Sequence, residues 1–149
     1  MQVIANDIKK IKSTKSIKMV SLDKLAKSSD IISLHLHLNK NTENLINRHF
    51  FKKMKASSII INTSRGKIIN EKALLDALKK KSILGAGLDV IDGEWLLNKK
   101  RAKHPLIEYA RNNDNLLITP HIGGATKESI QNARLFMAKK IVKFLKKQK

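Results

Sequence analysis

Three residues of this 149-residue chain carry side chains that could act together on a small 2-oxo acid: Arg65 in INTSRGKIIN, Glu94 in GLDVIDGE and His121 in LLITPHIGG. An arginine fork holds a carboxylate through two parallel hydrogen bonds and sets an adjacent carbonyl in register. A histidine can give a proton to that carbonyl's oxygen or take one from the corresponding alcohol. A glutamate beside an imidazole favours the charged ring and orients it. Together these are the needs of a 2-oxo acid/2-hydroxy acid interconversion in which a nicotinamide exchanges the hydride. Taken singly, each has a plainer reading: a solvated loop arginine, a surface carboxylate and a structural histidine.

The elements that must position them are legible as an alternation. Short apolar runs at Val3-Ile4-Ala5, Met19-Val20, Ile31 to Leu34, Ile59-Ile60-Ile61, Leu84 to Val90 and Leu116 to Thr119 read as strands. Between them SLDKLAKSSD, NRHFFKKMK, EKALLDALKK and HPLIEYARN read as helical segments, with Ser21 and Asn70 as N-caps. Such an alternation predicts a parallel sheet with helices on both faces, and ligands at the carboxyl ends of its strands. Those ends carry Asp7, the stretch from His35 to Thr42, Thr63-Ser64-Arg65, Asp89 and Pro120-His121. From Thr126 onward, Ile130, Ala133, Met137, Ile141 and Phe144-Leu145 recur at helical spacing among lysines, which predicts an amphipathic terminal helix that docks by its apolar stripe.

Composition narrows the classes. The chain is 42% hydrophobic and has no cysteine, so it suits a globular fold and excludes a disulfide framework or thiolate metal site. No apolar run has the length of a membrane span, and MQVIANDIKK lacks the charged and apolar regions of a secretory signal, so a cytoplasmic location is expected. The net charge of +19 invites a polyanion partner, but the lysines are dispersed and aromatics are 4% of the residues, with none interleaved as a stacking platform. No specific nucleic acid and no membrane are expected as partners. His35, His49 and His104 have no ligand set around them in sequence, so no metal site is assigned.

Three blocks, DIISLHLHLNKNTENLIN (30–47), NTSRGKIINEKALLDAL (62–78) with GAGLDVIDGE (85–94), and LLITPHIGGAT (116–126), resemble the D-isomer-specific 2-hydroxyacid dehydrogenases, especially the phosphoglycerate dehydrogenase branch. The resemblance implies that Arg65 holds the substrate carboxylate, His121 is the acid/base and Glu94 is its partner. It implies NAD as cofactor, with Asp89 near the nicotinamide end and Gly123 and Gly124 admitting close backbone approach. Asp7 matches the acid that binds a ribose hydroxyl and favours NAD over NADP. Leu36, through its backbone, and Thr42 match the loop passing the phosphate and adenosine side, although Thr42 also reads as a plain turn residue. Thr63 and Ser64, at the strand end before Arg65, complete the cofactor set. His37 stands where the family usually has proline.

The family's glycine-rich phosphate motif, about 20 residues before the ribose acid, does not occur in this sequence. The expected architecture is therefore a partial doubly wound, Rossmann-like NAD-binding domain lacking its first βα unit (1–125). The C-terminal amphipathic helix (126–149) is expected to return, in the family, to a substrate domain. The expected function is oxidoreduction at the CH–OH group of a D-2-hydroxy acid, with weak NAD binding and little turnover by the chain alone. A homodimer or a complementing N-terminal fragment is the expected partner. The alternatives are a non-catalytic dimerisation or interaction module of the same fold and, further off, a basic polyanion-binding protein.

Overall fold

The computed structural model describes residues 1–94 and 103–146. Lys99, Lys100 and Arg101, among the dispersed basic residues, and the last three residues of the expected terminal helix lie outside the described residues. Residues Met1–Thr119 form one compact unit and Pro120–Lys149 a second.

The described residues of the first unit form six strands and four α-helices in the order β1 (Val3–Ala5), β2 (Ile17–Met19), α1 (Leu22–Ser28), β3 (Ile31–Leu34), α2 (Arg48–Lys53), β4 (Ile59–Asn62), α3 (Glu71–Lys79), β5 (Gly85–Leu88), α4 (Pro105–Ala110) and β6 (Leu116–Ile118). A short 3₁₀ turn, Gly66–Ile68, separates β4 from α3. Helix starts follow local chemistry. The Ser21 hydroxyl accepts the Lys24 N–H, Asn47 accepts from His49 and Phe50, and Asn70 accepts from Ala73.

All strand pairs are parallel, but they form two sheets. β1 pairs with β2, and β3-β4-β5-β6 form the larger sheet in sequence order. In β3 and β4, Ile32, Leu34, Ile60 and Asn62 are buried while Ile31, Ser33, Ile59 and Ile61 are less so. This period-two pattern is that of a sheet covered on one face. The cover is a row of helices, α1 against α2, α2 against α3 and α3 against α4. Within this unit the helices thus sit on one face rather than the two expected from sequence. The reason is connectivity: three successive crossovers step in the same direction, and a common right-handed sense puts their helices on a common side. On the opposite face Ile31 and Leu117 remain 63% and 68% exposed. The core between sheet and helices is built from Ile32, Ile60, Phe50, Phe51, Leu74, Leu78, Leu88 and Leu106, among others.

In the second unit, α5 (Lys127–Lys146) has the length expected of an amphipathic helix but buries none of its residues. Its stripe of Ile130, Met137, Ile141, Phe144 and Leu145 is exposed. No helix among the described residues is long and apolar enough to cross a membrane.

Candidate active site

The pairing register aligns Leu34 with Asn62, Asn62 with Leu88 and Leu88 with Ile118, so four strands end in one row. The residues that follow that row emerge together at the sheet's carboxyl edge. Thr63, Ser64 and Arg65 leave from β4 and Asp89 from β5, as the sequence predicts.

Asn62, a buried side chain that sequence reading does not single out, shapes the turn carrying the arginine. Its Oδ1 accepts the Ser64 N–H at 3.0 Å and its Nδ2 donates to the Arg65 carbonyl at 3.0 Å. Both polar ends are satisfied, so burial of the amide incurs no orphan group. Ser64 then ties this turn to the neighbouring one. Its hydroxyl donates to the Leu34 carbonyl at 2.6 Å and accepts the Leu36 N–H at 3.2 Å. Thr63 is exposed. Arg65 is exposed as well, and one guanidinium nitrogen donates to the Ser64 carbonyl at 2.6 Å. A cavity of about 420 Å³ opens here, lined by His35, Leu36, His37, Leu38, Ser64 and Arg65. Of the expected cofactor residues, Leu36 and Ser64 therefore share a cavity with the expected clamp. The Leu36 N–H donates to the Ser64 hydroxyl, which ties it to the turn before Arg65.

Thr42 staples the loop beside that cavity. Its hydroxyl donates to the His37 carbonyl at 2.6 Å and accepts the Asn39 N–H at 2.8 Å. Its turn role is thus explicit, and His37 closes the loop through its carbonyl.

Asp89 is buried at the end of β5. Its N–H donates to the Asn62 carbonyl at 2.9 Å, and its Oδ1 accepts from the Thr119 hydroxyl. Glu94 is half-buried, and its Oε2 accepts the Ile91 N–H at 3.3 Å. Asp7 follows β1 on the smaller sheet, is exposed, and accepts the Lys9 N–H at 2.7 Å. His121, Gly123 and Gly124 belong to the second unit. There His121 takes a left-handed backbone, φ 54°, which is uncommon outside glycine. A Cβ added to Gly124 would meet nothing within 4 Å, so no group among the described residues demands glycine there. Among the described residues no group of three or more His, Asp or Glu could hold a metal ion.

The glycine after the arginine has a tertiary cause. A Cβ on Gly66 would stand 2.2 Å from the Ile91 carbonyl carbon and 2.3 Å from the Asp92 nitrogen. Gly66 thus lets the backbone between Asp89 and Glu94 lie directly on the turn that follows Arg65. The Arg-Gly pair in a strand-end turn is the signal that could have shown it.

A parallel sheet with polar chemistry gathered at its carboxyl edge defines a Rossmann-like dinucleotide-binding domain. Residues 1–123 match the sequence profile of the D-isomer specific 2-hydroxyacid dehydrogenase NAD-binding domain, and the chain belongs to that family. It is 40% identical over 123 residues to D-3-phosphoglycerate dehydrogenase of Escherichia coli K12, a match covering 83% of this chain and 29% of that protein. The fold is similar to D-2-hydroxyisocaproate dehydrogenase, with TM-score 0.90 and 32% identity over 99% of this chain and 47% of that one. It is similar also to D-lactate dehydrogenase of Aquifex aeolicus in complex with NAD and lactic acid. There the TM-score is 0.84 at 34% identity, covering 98% of this chain and 46% of that one. The chain thus spans less than half the length of these relatives.

Proposed function

We propose that this chain is the cofactor-binding part of an NAD-dependent D-2-hydroxyacid dehydrogenase, acting on a small 2-hydroxy or 2-oxo acid of the phosphoglycerate type. The observation that carries the reading is the strand-end row in which Asn62 and Ser64 build a turn that presents Arg65 at a cavity. Bound NAD would supply the hydride acceptor for the substrate's CH–OH carbon.

The chain's residues divide the remaining work. Arg65 holds the substrate carboxylate by a two-point fork. His121 takes the hydroxyl proton in oxidation and returns it in reduction, and Glu94 supplies the acid–base pair's carboxylate. Asp89, buried and already oriented by Thr119 and the Asn62 carbonyl, offers a fixed anionic edge to the nicotinamide end. Asp7 takes the ribose hydroxyls and favours NAD. Thr42 and Thr63 line the cofactor's path with Ser64 and Leu36. Gly123 and Gly124 leave room for it; the open space beside Gly124 fits a glycine kept for something outside the chain.

Calorimetric titration with NAD and NADH formation from D-2-hydroxy acids, with the L-enantiomers as control, test the reading. The chain alone is expected to bind NAD weakly. Adding a separate N-terminal fragment that supplies a glycine-rich βα unit is expected to restore D-specific turnover, because β1 and β3 stand at the edges of two separate sheets. No turnover in any such mixture would overturn it. The exposed apolar stripe of α5 favours a second reading, a homodimerising module without catalysis. That reading predicts concentration-dependent sedimentation that survives Arg65→Ala and His121→Ala.

A further inference from the structure

Glu71 opens α3, and an acid in a first helical turn is explained by the helix field alone. Its two carboxylate oxygens, however, both reach out of the helix. Oε1 accepts the Asp92 N–H at 2.7 Å, and Oε2 faces His104 Nε2 at 3.2 Å. His104 is itself the N-cap of α4: its Nδ1 accepts the Leu106 N–H at 3.3 Å. An accepting Nδ1 leaves the proton of the neutral ring on Nε2, directed at Glu71. Both side chains are largely buried, 12% exposed for His104 and 20% for Glu71.

The segment they hold is the one that leads to Glu94. Beyond the Asp92 N–H bound by Glu71, the Ile91 N–H donates to Glu94 Oε2, and the backbone of Gly66 lies against the Ile91 carbonyl carbon and Asp92 nitrogen. A two-residue stretch is therefore fixed by Glu71, by Gly66 beside Arg65, and by the carboxylate of Glu94. We infer that Glu71, seated by His104, is a positioning residue for Glu94: it pins the Ile91–Asp92 backbone onto Gly66 and so fixes the turn that presents the Glu94 carboxylate. The functional weight of this rests on the dehydrogenase reading; the clamp itself does not.

Glutamine cannot replace the acid. Whichever way its amide is turned, an N–H meets either the Asp92 N–H or the His104 Nε2–H. Only transfer of the imidazole proton to Nδ1 would relieve this, and that would surrender the cap on Leu106.

Amide hydrogen exchange by NMR on the full chain tests the clamp without substrate or cofactor. In Glu71→Ala, the Asp92 and Ile91 amides are expected to exchange about tenfold faster or more, while Leu75 and Leu78 inside α3 keep their protection. The Ile91 amide shift should move on Glu94→Gln in the wild type and lose that response in the Glu71→Gln background. A merely helix-stabilising Glu71 predicts faster exchange in α3 with Ile91 unchanged, and that result would overturn the inference, as would an unprotected Ile91 amide in the wild type. Should Glu71→Ala not fold, the same two amides in Glu71→Gln decide. A clamped protein that stays inactive in every complemented mixture would sink the proposed function and leave this inference standing.

Discussion

Gly66 and Ile91 meet backbone to backbone, at a distance that leaves no room for a single methyl group: a Cβ on Gly66 would lie 2.2 Å from the Ile91 carbonyl carbon and 2.6 Å from its oxygen. No side-chain rotamer can relieve a clash with main chain. Gly66→Ala is therefore expected to destabilise the fold by about 3 kcal/mol or more, at or beyond the upper end of overpacking costs. Gly124→Ala, with nothing within 4 Å, is expected to change it by less than about 0.5 kcal/mol. Urea denaturation of both variants makes the comparison; equal stabilities would refute the close approach.

Asn62→Ala should be costly for a different reason. It removes the acceptor of the Ser64 N–H and the donor to the Arg65 carbonyl, at a position 1% exposed. The Ser64 N–H would lose its acceptor, at about 1–3 kcal/mol if left unsatisfied, while the Arg65 carbonyl keeps the Ile68 N–H at 3.2 Å. Thermal unfolding should show the loss, and an unshifted midpoint would mean that water replaces the amide.

Local chemistry was the part of this fold open to sequence reading. Ser21 and Asn70 cap helices where their spacing predicts, and the runs at 31–34 and 59–61 form strands because β-branched residues between polar turns do little else. The placement of Ser64, Arg65 and Asp89 at one edge followed from parallel alternation. What escaped depends on partners distant in the chain. His104 has no metal-ligand neighbours in sequence, yet its partner Glu71 lies across the helical layer, where only packing of α3 against α4 brings it. The separation of β1-β2 from β3-β6 escaped too, because periodicity marks a strand but not the strand beside it.

Burial pushes the Glu71 carboxyl above its ordinary range, opposed by the Asp92 N–H and by His104. A raised folded-state value means that the native state binds the proton more tightly than the unfolded chain. The stability linked to it is full below the unfolded value and is lost as pH rises through the folded one. Asp23 has the opposite sign: its hydrogen bond to Lys53 holds its carboxyl low, so its contribution is lost as pH falls. Urea denaturation across about pH 4 to 7 should show wild-type stability falling relative to Glu71→Gln as pH rises. Parallel pH profiles for the two proteins would contradict the assignment.

Arg65 separates folding from function most cleanly. It is exposed, and its guanidinium donates to the carbonyl of the adjacent Ser64. Arg65→Ala should therefore alter stability by less than about 0.5 kcal/mol. As a carboxylate clamp it would make two charge-assisted bonds, each contributing about 1.5–3 kcal/mol, so its loss should lower kcat/KM for a D-2-hydroxy acid on the order of 10²-fold or more in the complemented protein. Arg65→Lys should recover part of that loss, because an ammonium keeps the charge and forfeits the planar fork. Steady-state kinetics beside urea denaturation give both readouts. Full activity in Arg65→Ala would remove the residue from substrate binding and return it to the solvated loop that its exposure alone suggests.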